Sequence, residues 1–551
     1  MPGVLPRLIA ALCLLTMLVA GRFTYKDYGF TVDEAVERST CLINYQYIVH
    51  TLFGQDLNIS DQPLETYKDR HYGIALQLPM VVLEHMTGFT MPLRDVFLFR
   101  HLWTFLVCLS GWVCFYLFLE KILKSCWLSL LGFLMLTLYP RFWGEQFTNI
   151  KDLVFTATCC YALLGMVLCL EHEGRWLWET LGAFLFALCA NTRIIGLVFP
   201  LLLLGYRVLR DGVLAPVWKE RGTGRFLLRC ARHAASLLLF LLFYVLITPA
   251  AWTSPLKFLG ETLGEFSDYN VWPGMVYFLG NQYSGSGLPW YYLPVWLGVS
   301  VPLWYLLAML VGIAEAANAV MHNRRELCCF LRSSLLGRGR WFVLCLIVAV
   351  LPVAAAILMH STLYNGWRHM YFLFPEIVVL AVFGIQRLFR LLHGLRLRCL
   401  VAGGMALLLA GQICWTVWMH PFEKLYFNFI GRAMADHLET DYWYESCYSQ
   451  VMHILEADSS HRITLSTNSF SNLTVNNYLY SQDSERFYFY PTLTSAVEYT
   501  IEPAWGAERA PLPGFTAVYT LSAANGLPLS ILYLRDEVLM ERFGGQWPKQ
   551  N

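Results

Sequence analysis

Two adjacent acids, Asp33 and Glu34, follow shortly after the first apolar run of the chain. A carboxylate at the edge of an apolar region can have its pKa raised and can act as a general base. The same segment is also typical of a helix start, with Thr31 or Asp33 as the N-cap residue. The two interpretations are compatible, because a helix start fixes the position of the carboxylate. Asp33 and Glu34 are therefore candidate catalytic residues.

A second polar segment lies between two later apolar runs and contains Arg141, Lys151 and Asp152. Arginine binds phosphate oxygens in a bidentate manner and lysine binds them as a point charge, so the segment suits a phosphate or diphosphate group. For Arg141, anchoring at the membrane interface beside Trp143 is an equal alternative. For Lys151 and Asp152 the functional interpretation is favoured.

Three further candidates for anion binding are Arg193, Arg368 and His369. Arg193 lies between two apolar runs with almost no loop, where a lone arginine can also extend its charge to the interface. Arg368 and His369 end a connection as an apolar run begins, and histidine can titrate near neutral pH. The alternative for this pair is a belt of aromatic and basic residues at the interface.

The composition is that of an integral membrane protein. Of the 551 residues, 57% are hydrophobic and only 14% are charged, whereas a soluble protein has roughly 25% charged residues. The net charge of +1 gives no indication of a nucleic-acid partner. Most cysteines fall inside apolar runs, where they behave as small hydrophobic residues. Cys41 and Cys447 are exceptions, and the sequence leaves open whether they pair.

The apolar runs predict about eleven membrane spans. The first run, 8–20, is interpreted as a retained helix rather than a cleaved signal peptide. Several of the others are short for a bilayer that needs roughly 20 helical residues. The remaining runs lie near 97–119, 127–140, 153–170, 177–190, 194–209, 234–253, 290–318, 342–360, 371–386 and 399–418.

Lysine and arginine in alternate connections predict the orientation, because basic loops stay in the cytoplasm. The opposite connections should face outward, and they include the long first loop 23–95, the loop 141–152 and the tail after residue 420. The expected domains are a transmembrane catalytic domain, 1–419, and an extracytoplasmic domain, 420–551. Strand-like runs at 462–467 and 486–490 predict a small mixed α/β fold for the tail. Glycosylation sequons at Asn58 and Asn472 both fall on the predicted outer side.

The order of these motifs, all on one side of the membrane, resembles the GT-C glycosyltransferases. More narrowly, the chain resembles the family 39-like group, which is related to protein O-mannosyltransferases and to the aminoarabinose transferases of lipid A. The motifs that carry the resemblance are Phe30-Thr31-Val32-Asp33-Glu34, Pro140-Arg141-Phe142 with Asn149-Ile150-Lys151-Asp152, Leu288-Pro289-Trp290-Tyr291-Tyr292, Gly366-Trp367-Arg368-His369, and His420-Pro421-Phe422 with Tyr426-Phe427-Asn428.

The resemblance implies transfer of a sugar from a polyprenyl-phosphate donor to an acceptor hydroxyl, with inversion, on the outer or lumenal face. Asp33 would be the general base, and Glu34 would orient it or bind the sugar. Lys151, Arg193 and Arg368 would hold the lipid phosphate. Asp152 would position the lysine or the donor. The acceptor would be a glycan, a lipid or a protein, although no C-terminal sugar-binding repeat is visible.

Other functions stay open at this stage. A transporter or flippase of a lipid-linked sugar would need polar groups at mid-membrane and repeated halves, but the informative charges cluster at one mouth. A non-catalytic membrane partner would not need Asp33. We expect no cofactor, although Asp33, Glu34 and Asp152 could gather around a divalent cation. The expected location is the bacterial plasma membrane, and the endoplasmic reticulum membrane is the alternative.

Overall fold

The computed structural model describes residues 3–267, 272, 274–467, 481–504 and 512–548. Up to residue 419, the described residues form helices and a β-hairpin, joined by loops. The helices in this part are α1 Val4–Thr24, α2 Val32–Phe53, α3 Leu78–Met86, α4 Leu93–Leu123, α5 Cys126–Thr137, α6 Pro140–Glu145, α7 Asp152–Glu171, α8 Trp176–Thr192, α9 Val198–Leu209, α10 Val217–Arg221, α11 Thr223–Leu246, α12 Pro255–Ser267, α13 Tyr292–Ser300, α14 Leu303–His322, α15 Leu327–Leu336, α16 Gly339–Leu358, α17 Phe374–Leu391 and α18 Leu395–Met419. The hairpin pairs β1 (Met275–Phe278) with β2 (Asn281–Ser284).

Eight helices in the described part of the chain are long and apolar enough to cross a membrane. The prediction of a polytopic helical membrane protein is therefore confirmed. The eight are α1, α4, α7, α11, α14, α16, the segment Arg368–Leu391 that includes α17, and α18. The predicted spans 127–140, 177–190 and 194–209 are shorter helices. At 12 residues, α5 is about 18 Å long, well below the roughly 30 Å thickness of the hydrocarbon core.

The predicted single span 290–318 is divided into α13 and α14. Helix α13 ends at Ser300 and α14 begins at Leu303, on either side of Val301 and Pro302. Proline has no amide hydrogen to donate and disfavours helical geometry in the residue before it. The break is therefore local in origin.

Helix α7 lies at the centre of the helical domain. Of its most apolar stretch of 18 residues, 89% are buried inside the protein. It packs against α4 and α8, while α14 packs against α17. Helices α4 and α7 approach most closely around Gly111 of α4, where an added Cβ would lie 2.6 Å from the Cα of Ala157 on α7. Glycine at this position lets the backbones of α4 and α7 approach each other.

The first long connection, 23–95, is not the plain loop that its polarity predicted. It contains α2, α3 and a short 3₁₀ helix, Leu64–Thr66. Helix α2 has little hydrophobic character, and its N-terminal turn is fixed by polar side chains rather than by an apolar pattern. A search for apolar runs misses such a helix.

The tail contains the predicted α/β fold. Its five-stranded sheet has the order β4-β3-β5-β7-β6, in which β3 is parallel to β4 and β5, and β7 is antiparallel to β5 and β6. The predicted strands at 462–467 and 486–490 are confirmed as β3 and β4. The elements are α19 Phe429–Arg432, α20 Ser446–Ala457, β3 Ile463–Thr467, α21 Ser481–Ser484, β4 Phe487–Tyr490, β5 Tyr499–Pro503, β6 Phe515–Ser522, β7 Pro528–Arg535 and α22 Asp536–Phe543.

Cys41 and Cys447 are not joined to each other, and they lie in different hydrophobic clusters. Of the two sequons, Asn58 is exposed, whereas Asn472 lies outside the described residues.

Candidate active site

Thr31 and Glu34 form a capping box at the start of α2. The backbone N–H of Thr31 donates to Glu34 Oε2 at 2.9 Å, and the other carboxylate oxygen of Glu34 lies 2.8 Å from His101 Nε2. Both side chains of this ion pair are fully buried. The helix-start interpretation is therefore correct, and Glu34 is a structural anchor that fixes its neighbour. Asp33 keeps 22% of its side chain exposed.

Asn149 fixes the start of α7 in a comparable way. Its side-chain oxygen accepts from the backbone N–H of Asp152 at 2.8 Å and from that of Leu153 at 3.3 Å. Its amide nitrogen donates to Glu145 Oε2 at 2.7 Å. The first turn of α7 therefore holds Asp152 at the positive end of the helix dipole.

Four of the predicted residues form one chain of ion pairs. Arg368 Nη1 lies 2.8 Å from Asp33 Oδ2 and 3.0 Å from Asp152 Oδ2, and Arg193 pairs with the other oxygen of Asp152. Arg368 and Asp152 are almost completely buried, whereas Arg193 and Asp33 are about one-fifth exposed. The four side chains come from the starts of α2 and α7, the end of α8 and the segment before α17. These helix ends meet at one end of the bundle.

Lys151 lies beside this row of ion pairs. Its Nζ is 2.8 Å from Glu37 Oε1 and 4.2 Å from the centre of the Tyr72 ring. Burial alone would lower the pKa of Lys151, but Glu37 and Asp33 raise it above its ordinary value. Glu37 follows Asp33 by one helical turn on α2, so both carboxylates lie on the same face of the helix.

The pKa of Asp33 differs from the expectation. Burial would raise it, but the positive charges of Arg368 and Lys151 outweigh burial and lower it. The expected rise in the pKa of Asp33 is therefore wrong, and Arg368 holds its carboxylate in an ion pair.

The structure does not bring Arg141 to this cluster. Its guanidinium donates to the main-chain oxygen of Tyr426 at 3.0 Å and lies 5.5 Å from the centre of the Phe427 ring. It is only 3% exposed, so it also does not anchor the protein at a membrane surface. His369 is adjacent to Arg368 and half-buried, and its ring lies nearly perpendicular to that of Tyr364, with the ring centres 4.6 Å apart.

The tail contributes side chains that sequence reasoning missed. Residues 439–446, here named the floor segment, connect the tail to the cluster. The Trp443 ring centre lies 5.0 Å from the guanidinium carbon of Arg368. Tyr442 donates to Glu145 Oε1 at 3.0 Å, and Glu445 Oε1 accepts from Thr148 Oγ1 at 3.3 Å. No local pattern marks this segment, because its role depends on contacts between distant parts of the chain.

Lys424 holds the floor segment in place through two of its acids, Asp441 and Glu445. Lys424 Nζ lies 2.8 Å from Asp441 Oδ1 and 3.2 Å from Glu445 Oε1. Asp441 also accepts from the backbone N–H groups of Glu445 and Ser446 at 3.2 Å and 2.9 Å. Burial raises the pKa of Glu445 to about 7, although Lys424 opposes the rise.

The three predicted acids do not converge as ligands of a divalent cation. Arg368 lies between Asp33 and Asp152, and Glu34 faces His101. Among the described residues, Glu173, Asp211 and His233 place their possible ligand atoms within 4.8 Å of one another, which is close enough to hold a metal ion. Asp211 in that group already pairs with Arg210 and Arg229.

No protein-family model matches this chain, and no curated protein matches it. Similar solved structures include ArnT from Cupriavidus metallidurans bound to undecaprenyl phosphate, with 10% sequence identity, a TM-score of 0.45, and coverage of 95% of this chain and 97% of that chain. ArnT from the same organism in the apo state has 12% identity, a TM-score of 0.42, and coverage of 95% and 98%.

Proposed function

We propose that this protein is a membrane glycosyltransferase that moves a sugar from a polyprenyl-phosphate donor to a hydroxyl group of an acceptor. The observation that carries the proposal is the chain of Asp33, Arg368, Asp152 and Arg193 at one end of the helical bundle. A phosphate leaving group needs cations, and an acceptor hydroxyl needs a base. This cluster offers two guanidinium groups and a partly exposed carboxylate within one network.

In the proposed mechanism the donor phosphate competes with Asp33 for Arg368. An arginine that binds phosphate oxygens cannot keep its full attraction for a carboxylate, so Asp33 loses part of the positive charge that lowers its pKa. Burial then raises that pKa, and Asp33 becomes a stronger base. Donor binding therefore prepares the base for the acceptor.

The transfer is a single displacement at the anomeric carbon of the sugar. The acceptor oxygen forms a bond to that carbon, and the bond from the carbon to the phosphate oxygen breaks. The acceptor proton goes to Asp33, and the electron pair leaves with the polyprenyl phosphate. Attack opposite the leaving group inverts the anomeric configuration.

The neighbouring groups have supporting roles. Arg193 and Lys151 add positive charge for the phosphate, with His369 at the edge of the same site. Asp152 holds the two arginines, and Glu34 fixes the helix turn that carries Asp33. The proposed reaction uses no metal ion or other cofactor, because the cations of the chain itself meet the phosphate charge. The acceptor is a glycan, a lipid or a protein at the outer face of a bacterial plasma membrane.

A panel of radiolabelled polyprenyl-phosphate sugars tests the proposal with purified protein in detergent. With an alcohol added as the acceptor hydroxyl, we expect release of free polyprenyl phosphate with one donor, and a glycoside of inverted configuration by nuclear magnetic resonance. The same donors reconstituted in proteoliposomes provide the comparison. Movement of the intact lipid-linked sugar across the bilayer, without release from any donor, would contradict the transferase and indicate a transporter.

A further inference from the structure

Glu145 is a buried acid that the proposed mechanism does not use. It is the last residue of α6 and is completely buried. Its carboxylate accepts hydrogen bonds from the side chains of Asn149, Tyr371 and Tyr442. These three donors lie in the connection before α7, in the segment before α17 and in the floor segment. An ionised carboxylate only accepts hydrogen bonds, so an acid suits a position at which three donors meet.

The first donor connects Glu145 to the start of α7. The amide nitrogen of Asn149 donates to Glu145 Oε2 at 2.7 Å, which leaves the amide oxygen for the backbone N–H groups of Asp152 and Leu153. An asparagine amide rotated by half a turn would present its own donors to those N–H groups and could not accept from them. Glu145 therefore selects the amide orientation that fixes the first turn of α7, where Asp152 lies.

The second donor connects Glu145 to the segment that carries Arg368. The hydroxyl of Tyr371 donates to Glu145 Oε1 at 2.6 Å. Tyr371 lies one turn after Arg368 in the 3₁₀ helix Arg368–Leu373. Arg368 Nη1 in turn lies 3.0 Å from Asp152 Oδ2. Glu145 thus joins the two segments whose charged side chains pair with each other.

The third donor brings the tail to the same carboxylate. Tyr442 of the floor segment donates to Glu145 Oε1 at 3.0 Å. The next residue, Trp443, places its ring centre 5.0 Å from the guanidinium carbon of Arg368. Loss of the acceptor would leave buried donors in all three segments without their partner, which is unfavourable in the protein interior. One side chain therefore sets the arrangement of three segments around Arg368.

We propose that Glu145 is a positioning residue for the phosphate-binding cations: it holds the start of α7, the segment of Arg368 and the floor segment in the arrangement that lets Arg368 bind the donor phosphate. This inference rests on the proposed function of Arg368. It predicts that phosphate binding depends on the direction of the hydrogen bond between Glu145 and Asn149, and not on which of the two positions carries the negative charge.

Binding of undecaprenyl phosphate to the full-length protein in detergent tests this role without needing the acceptor. Glu145→Gln should weaken the affinity about tenfold, because one amide oxygen cannot accept from Asn149 and from both tyrosines. Asn149→Asp places two buried carboxyl groups against each other and should weaken the affinity at least as much.

The double variant Glu145→Gln/Asn149→Asp exchanges the acid and the amide. The new amide can donate to the new carboxylate and still accept from both tyrosine hydroxyls, and aspartate is as good a helix cap as asparagine. Every hydrogen bond of the network is then kept, with one donor and acceptor exchanged. The double variant should therefore bind within about threefold of wild type.

Glu179→Gln is the matched control. Glu179 is a buried acid near the start of α8 that pairs with Arg207 at 2.6 Å. It lies 13 residues before the end of α8 at Thr192, about 20 Å along the helix from the end that leads to Arg193. Glu179→Gln should lower the thermal midpoint, which is measured for every variant, but its affinity should equal that of wild type.

Three results would overturn the inference while wild type still binds the lipid phosphate, so the proposed function stays intact. One is wild-type affinity in Glu145→Gln, and another is a double variant that binds no better than Asn149→Asp. The third is an equal loss of affinity in Glu145→Gln and Glu179→Gln, which would indicate general destabilisation. If wild type itself binds no undecaprenyl phosphate, the proposed function fails, and the role of Glu145 in phosphate binding fails with it.

Discussion

Neutralising Glu445 should make the protein's stability less dependent on pH. Glu445 lies in the floor segment between Lys424 and Thr148, and burial raises its pKa from 4.5 to about 7. A carboxyl group with a raised pKa stabilises the folded state when protonated. Its contribution is therefore fully present below 4.5 and is lost as the pH rises through about 7.

The size of the effect follows from the two pKa values. Each unit of pKa difference corresponds to about 1.4 kcal/mol, so the contribution of Glu445 falls by about 2.5 kcal/mol between about pH 5 and about pH 8. Glutamine has no such titration. The free energy of unfolding of Glu445→Gln, relative to wild type, should therefore rise by that amount over the same interval.

Denaturant titrations in detergent, followed by tryptophan fluorescence at the two pH values, measure this difference. Glu456→Gln is the control, because Glu456 is an exposed acid of α20, and its difference from wild type should stay constant. A Glu445→Gln difference that is constant or falls with pH would refute the reasoning.

Three further predictions concern individual charged residues. Arg368→Lys should slow release of lipid phosphate by about a hundredfold in single-turnover assays, because lysine cannot bridge two carboxylates and a phosphate; a loss of less than about threefold would contradict this role. Arg141→Lys should lower the thermal midpoint but leave the donor KM unchanged, because Arg141 contacts a main-chain carbonyl outside the cluster; a raised donor KM would place it at the site. Glu34→Gln should lower the free energy of unfolding by about 1–3 kcal/mol, because it weakens the capping box and the pair with His101; an unchanged denaturation midpoint would be inconsistent with the buried pair.

Local patterns predicted much of the site. Thr31 and Glu34 follow the spacing of a capping box, and this spacing needs no tertiary information. The meeting of Asp33, Asp152 and Arg368 follows from the alternation of basic and non-basic connections, which places their segments at the same end of the bundle. The tail strands were predictable because β-branched and aromatic residues occur there in short runs.

Three features were not predictable from one sequence. Arg141 shares a connection with Lys151, but it lies in α6, where its side chain is buried against Tyr426. The contact of Trp443 with Arg368 joins distant parts of the chain. The lowered pKa of Asp33 depends on which cations surround it in three dimensions.

The most direct test of the central claim compares wild type, Asp33→Asn and Asp56→Asn in sugar-dependent release of polyprenyl phosphate. Asp56 is an exposed acid of the same connection, 23–95, so its variant is a control for the loss of a carboxylate. We expect Asp33→Asn to stay folded and to bind the lipid phosphate, but to lose release by about a thousandfold or more, because a general base has been removed. Asp56→Asn should retain the wild-type rate. Release by Asp33→Asn at the wild-type rate would contradict the assignment of Asp33 as the general base.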